Sequence, residues 1–503
     1  MNKIISLIVV FSVCLSSCGR FDEYNTNPDS TTEVTAAMLA TGVELSSFRS
    51  SGDGKAYISY SALPKYVAYL TEGAMDAQYN KIGRCSYDSY LLWPDYEYIN
   101  KYAGGTDYEA SYKGLTLFLK AFNAYRLTMQ LGDIPYSGAG MGKQGMLKPE
   151  YDTQEYVFSQ ILDDLRKAEA AFAAGKAFAG DIIYGGDTSK WRKAVNVLRL
   201  KVLMSLSRKI TDSQKQEFRD IVSSGILMSG NEDNLQLEYT EKSGTWHPLY
   251  NQKLFNPYTT VSKLVVDELK RLEDRRLFYF AEPAPCLLAE GKKESEFDAY
   301  EGTDTSADFN ISSASFESGK FSVINKRYLE RQAGDPYIHL TFAEQCFIIA
   351  EAAESGWISE DSGKYYEAGV TAALSMVASF DTDNKYNHSM PIDEEYLSAY
   401  FKGNAGYASS KEERMKQIWM QRYLLKFLQD GYDAYFEVRR TGYPELPNDP
   451  STSLNVDNKN MAPVRWQYPE SESKTNSDNL NAALSRQFNN SYDGINELMW
   501  ILK

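Results

Sequence analysis

Apolar residues recur three and four positions apart over much of the chain, the spacing that lines up one face of an α-helix. Leu115, Phe118, Leu119, Phe122, Tyr125 and Met129 form one such face; Asp107 stands where a helix cap would, and Gly132-Asp133 closes the run. Tyr156, Ile161, Leu162, Leu165, Ala168 and Phe172 form the next, with Asp152 or Thr153 as its cap. Further helices are predicted over 191–210, 214–224 and 260–272, and paired helices over 340–355 with 362–379 and 411–428 with 431–438. No strand-like run stands out before residue 230, and short alternating stretches such as Leu235–Tyr239 predict small β-hairpins.

Between these helices lie long polar segments, 73–106, 136–152, 228–258, 281–337, 380–408 and 440–495, rich in Gly, Pro, Asn, Ser, Asp and Tyr. Loops of that length are uncommon unless they carry function. The pattern predicts a mostly α fold: a scaffold of TPR-like helix pairs, around 107–225 and 339–439, with long irregular ligand or partner loops between them. Helix pairs of about 35–40 residues fit stacked repeats. The usual repeat consensus is absent, so an ordinary helical protein explains the same periodicity.

The first residues read as an address. Lys3 precedes the apolar run Ile4–Leu15, which is shorter than the ~20 residues a bilayer helix needs. Residues 1–17 therefore read as a secretory signal peptide. Leu15-Ser16-Ser17-Cys18 resembles the bacterial lipobox, which makes Cys18 the acylated N-terminus of a mature body over 18–503. Several acyl chains anchor stably where one does not. Three other cysteines, Cys85, Cys286 and Cys346, are too few and too scattered for a disulfide framework; the surroundings of Cys346 predict a small buried residue.

Composition narrows the chemistry. The net charge is −15, and no basic block stands out, so nucleic acid is not an expected partner. Tyrosine is the outlier, at 37 residues. Tyr79, Tyr87, Tyr90, Trp93, Tyr96, Tyr98, Tyr102, Tyr108 and Tyr112 crowd into 34 residues where the chain average predicts about three such rings. Aromatic faces with polar neighbours suit the apolar faces and hydroxyl rims of sugars. Trp93 and Tyr96 are the leading ligand-binding candidates, with Tyr79, Asp76 and Arg84 beside them. Trp246, in Trp246-His-Pro-Leu-Tyr250, and Arg465-Trp-Gln-Tyr468 offer further walls. The same rings would also serve to pack loops over helix faces or to meet a protein partner.

Catalysis finds little support. Only His247, His339 and His388 are available to a nucleophile triad, and no zinc spacing is present. With 68 acidic residues, some pair will always meet the spacing a glycosidase requires. Gly140-Met-Gly-Lys-Gln-Gly145 matches a dinucleotide fingerprint but has no strand before it and a poor helix start after it, so it reads as a loop. Asp381-Thr-Asp-Asn-Lys385 is a broken calcium-loop pattern. No catalytic residue, metal or cofactor is expected.

Six pieces in fixed order then carry a family resemblance. They are Phe21–Pro28, Gly132-Asp-Ile-Pro-Tyr136, Trp191–Leu200, Ala343-Glu344 with Ala350-Glu-Ala352, Arg439–Pro444, and Pro463–Glu470. Together they resemble the SusD/RagB group. The resemblance implies a mostly α fold on TPR-like units and a surface-exposed outer-membrane lipoprotein. It also implies a SusC-like TonB-dependent transporter as partner and an oligosaccharide as ligand. A peptide-binding import lid is the alternative, and a secreted glycoside hydrolase a more distant one. The motifs read as architectural and mark no ligand residue.

Overall fold

The computed structural model describes residues 34–50, 52–381 and 383–503. Cys18, the leader and Phe21–Pro28 lie outside the described residues. Helices of nine residues or more are α1 (Ala36–Phe48), α2 (Gly54–Ala62), α3 (Trp93–Ala103), α4 (Glu109–Leu131), α5 (Gln154–Ala174), α6 (Thr188–Ser205) and α7 (Asp212–Ser224). They continue as α8 (Lys263–Arg271), α9 (Phe309–Glu317), α10 (Phe342–Glu354), α11 (Ser362–Ser379), α12 (Lys411–Leu425), α13 (Gly431–Thr441) and α14 (Ser477–Phe488). Strands are short: β1 (Val67–Tyr69), β2 (Leu235–Leu237), β3 (Thr259–Val261) and β4 (Tyr337–Leu340).

The expected mostly α, TPR-like scaffold is what forms. α4 packs on α5, α5 on α6 and α6 on α7; α10 packs on α11 and α12, and α12 on α13. Thr153 caps α5 as expected, accepting from Tyr156 N, and Thr211 forms a full capping box with Gln214, but Asp107 does not cap α4: Tyr108 holds that position without a side-chain bond, and Asp107 pairs with Lys176 at 2.8 Å. α4 and α5 come close because residue 114 is glycine; a Cβ there would stand 2.9 Å from the Phe172 ring. Phe172 in turn stacks on Trp191 at 5.6 Å, so three successive helices share one aromatic contact. Cys346 is fully buried, as its neighbours predicted, and burial pushes its thiol up to about 12.

Several expectations change. The first 230 residues do contain a strand: β1 pairs antiparallel with β3, Val67 opposite Val261. Leu235–Leu237 pairs not with a local return strand but with β4, about a hundred residues away, so the predicted hairpin is a long-range pair. Segments read as loops hold helices α3, α9 and α14, and α1 and α2 had no clear helical period. Tyr156, assigned to a buried face, is exposed.

A buried ionic cluster ties α6, α10, α12 and α13 together. Lys201 Nζ lies 2.9 Å from Glu344 and 2.6 Å from Asp433; Lys426 Nζ lies 3.2 and 3.0 Å from the same two carboxylates. Arg422 and Arg440 both reach Glu351, at 3.1 and 2.7 Å, and Glu437, at 2.6 and 2.8 Å. Four cations thus face four carboxylates. Burial works to raise the carboxyl of Glu351, but the Arg440 and Arg422 guanidiniums hold it below the usual range. Removing one partner of such a set strands a buried charge. Glu351→Gln is expected to destabilise the protein by about 3–5 kcal/mol, read as a lower denaturant midpoint.

Glu44 is the opposite case. It is fully buried in α1, accepts from Ile182 N at 2.7 Å and has no cation beside it. Burial, then the nearby charge of Asp181, raises its carboxyl to about 9. A group raised from 4.5 to about 9 stabilises the fold most fully below its unfolded value and loses that contribution as pH climbs towards 9. Glu44→Gln should therefore melt higher than the parent at about pH 8, with the gap closing towards about pH 4.5, in a thermal-melt series against pH.

Candidate binding cleft

The first turn of α13 sets the centre of the site. Asp430 caps that helix by accepting from Asp433 N at 3.2 Å, and it pairs with Arg126 of α4. Residue 431 must be glycine, because a Cβ would lie 1.9 Å from the Tyr60 carbonyl of α2. That close approach brings Tyr60 and Tyr432 edge to face at 5.1 Å, and Tyr432 meets Trp466 at 4.8 Å.

Around these rings lie three hollows of about 500, 360 and 220 Å³. The first two share Arg49 and Ser50 at the end of α1, and the last two share Tyr432 and Trp466, so they form one connected cleft. Trp246 and Tyr250, edge to face at 5.3 Å, wall the large hollow; Trp246 is 40% exposed. Asp76 and Lys81, 2.9 Å apart, line the small one.

The central hollow is polar. Arg84 enters it and is braced by the Tyr468 carbonyl at 2.8 Å and by Asp493 at 3.3 Å. Burial works to raise the pKa of Asp430, yet the Arg126 charge holds it below the usual carboxylate range, so the pair stays ionic. His339 is buried; desolvation, aided by Arg126, lowers it to about 4, which leaves it neutral. Its Nε2 lies 2.8 Å from the Phe48 carbonyl, which assigns the proton to Nε2 and leaves Nδ1 an acceptor with no partner among the described residues. The cleft therefore offers ring faces beside fixed donors and acceptors.

Of the residues singled out in the sequence, Asp76, Arg84 and Trp246 come together on this cleft, and so does Trp466. Trp93, Tyr96 and Tyr79 do not. The helical period of α3 puts Trp93, Tyr96 and Ile99 on its inner face, against the core. Trp93 is 8% exposed, edge-on to Tyr136 at 5.7 Å and beneath Lys120 Nζ at 5.0 Å. The Tyr96 hydroxyl accepts from Asn123 at 3.1 Å, and the Tyr79 hydroxyl donates to the Ala307 carbonyl at 2.7 Å. The aromatic-loop reading is corrected to that extent: a short helix turned its best rings inward. Sequence reasoning missed Tyr60, Tyr432, Arg126 and Asp430. Asp430-Gly-Tyr432 carried a usable signal, a cap followed by glycine at a helix start.

A family model described as starch-binding, associating with outer membrane, matches residues 28–469. The chain belongs to the SusD-like family. A SusD homolog from Bacteroides fragilis is 39% identical, with a TM-score of 0.89 over 93% of this chain and 100% of that one. A second from the same organism is 32% identical, with a TM-score of 0.82 over 94% and 100%. A chitin-binding SusD homolog from Flavobacterium johnsoniae shares the fold at 20% identity and a TM-score of 0.68, over 93% and 98%. No curated protein matches the chain. The SusD-like family is described as starch-binding and associated with the outer membrane.

Placing Trp93 in the SusD-like core has a measurable consequence. Trp93→Ala should cost about 3–5 kcal/mol of stability by opening a cavity beneath Tyr136 and Lys120. A lowered denaturant midpoint with an unchanged m-value checks it.

Proposed function

We propose that this protein is a lipid-anchored outer-membrane receptor that holds an oligosaccharide in the cleft and passes it, chemically unchanged, to a SusC-like TonB-dependent transporter. The observation that carries the reading is the run of aromatic groups, Trp246 with Tyr250 and Tyr60 with Tyr432, along hollows that Arg, Asp, Ser and Gln side chains also line. Ring faces take the C–H faces of pyranoses, and fixed polar side chains take the hydroxyls. The starch-binding family description and the chitin-binding relative support the same ligand class.

Cys18 is the proposed anchor. Fifteen residues separate it from Val34, so covalent geometry keeps Val34, two residues before α1, within about 55 Å of the membrane. The far end of α1, about 20 Å further on, carries Ser46, Ser47 and Arg49 into the cleft. A tether of that reach holds receptor and transporter at high effective concentration, so a modest interface between them suffices.

The cleft carboxylates argue for binding rather than hydrolysis. A glycosidase acid must hold its proton near neutrality, whereas Asp430 is held ionised by Arg126 and is committed to capping α13. Asp430 is therefore not poised as a proton donor. Asp76 is paired with Lys81 at the surface.

Calorimetry of the purified body against soluble starch, maltoheptaose and chitohexaose tests the proposal. Trp246→Ala combined with Tyr250→Ala should weaken binding by roughly tenfold or more, and recovered glycans should keep their length. Undiminished affinity in that variant, or shortened products from the intact protein, would sink the reading.

A further inference from the structure

The largest hollow among those described is not part of the cleft. It is a trough of about 800 Å³, and none of its lining residues is shared with the three cleft hollows. One wall is the polar face of α8, where Asp267, Glu268 and Arg271 lie at helical spacing; the other is the strap of residues 443–448 with residues 460–462. We infer that this trough is a second ligand site, for a neutral oligosaccharide.

The chemistry of the walls selects that class. Two basic and four acidic side chains line the trough, so its net negative charge disfavours uronic or sulfated sugars. An extended peptide would need a free strand edge to pair with, and neither wall is a strand; the strap carries Pro444 and Pro447, which have no N–H to give. Carboxylate, guanidinium and amide groups are what sugar hydroxyls need, and the half-buried Tyr443 adds a ring. The charged wall is already ordered, since Arg271 is held by Glu268 at 2.7 Å and Lys263 by Asp267 at 2.8 Å.

Two further observations single the trough out from a mere surface dip. Thr305 is fully buried in its lining, and its hydroxyl has no partner among the described residues; a buried polar atom without a partner calls for a ligand or a bound water. Asn448 is fixed on its far side: its Oδ1 accepts from Asn80 at 2.6 Å, and its Nδ2 donates to the Lys459 carbonyl at 3.1 Å. A side chain locked from behind is preorganised for what meets its front.

The experiment is calorimetric stoichiometry with maltoheptaose and chitohexaose on the full lipid-free body. Two variants address the trough. Glu445→Ala with Asn460→Ala removes exposed polar groups, and Asp267→Trp fills the space; all three positions are surface side chains, so folding is preserved. With at least one of the two sugars, the intact protein should bind two equivalents. Either trough variant should bind one, and the Trp246→Ala/Tyr250→Ala cleft variant should retain the trough equivalent. A single equivalent that survives both trough variants and vanishes in the cleft variant overturns this inference while leaving the cleft reading intact. Binding lost only in the trough variants supports it and overturns the cleft reading. If neither sugar binds, both readings are overturned.

Discussion

Four cations and four carboxylates buried between α6, α10, α12 and α13 constrain everything near them. Apolar contacts tolerate small slips; a buried ion pair does not, because any shift in register strands a charge in a medium that cannot solvate it. Lys201, Lys426, Glu344 and Asp433 form one group, Arg422, Arg440, Glu351 and Glu437 form the other, and Arg422 links the two through Glu344 at 3.6 Å. Asp433 belongs to the first group and also donates its N–H to the capping carboxylate Asp430. The cluster thus fixes the axis and rotation of α13, and with them Tyr432, which sits one residue inside the helix. The cleft inherits its geometry from a charge balance buried beneath it.

The abundance of tyrosine has a structural cause as well as a functional one. Tyr57 donates to the Leu428 carbonyl at 2.8 Å, Tyr112 to Ala179 at 2.9 Å, Tyr184 to Asp233 at 2.8 Å and Tyr423 to Pro64 at 2.8 Å. Each ring fills the core while its hydroxyl satisfies a loop carbonyl that the core would otherwise strand. Burial pushes these phenols well above their ordinary range at Tyr57, Tyr184 and Tyr423, so they remain donors at any physiological pH. Long loops can then lie over a helical scaffold without losing definition. Only a minority of the rings, those near α2, α13 and residues 246–250, line the cleft.

What was legible in the sequence follows from which forces are local. The α4, α5 and α6 helices announced themselves because each buries apolar residues at helical spacing, and Thr153 and Asp187 cap the latter two. α1 stayed hidden because apolar and small residues surround it on all sides, giving no periodic contrast. The β2–β4 pair could not be read from either segment alone, since its partners are joined only through the tertiary fold. The density of rings near Trp93 was real, but composition cannot tell which side of a helix faces out. Trp246 and Arg84 could be placed beside the cleft from sequence because exposed loops leave their chemistry on the surface, whereas Arg126 and Asp430 line it through an ion pair between α4 and the cap of α13 that no local pattern announces.

The segment from Asp76 to Arg84 shows how the scaffold makes a binding wall out of a loop. Lys65, buried just after α2, points its ammonium at the Gln78 carbonyl, 2.5 Å away, and at Asn80 Oδ1, 2.8 Å away. Burial lowers this lysine to about 7, and its partners are a carbonyl and an amide oxygen rather than a carboxylate. Those dipoles belong to the turn that presents Asp76 to the small hollow of the cleft, and Asn80 passes the constraint on to Asn448 in the opposite trough. One buried side chain therefore stiffens a partition between two hollows. Such a partition needs no regular secondary structure to be rigid, because its backbone carbonyls are spent on the scaffold and its side chains are left for what lies on either side.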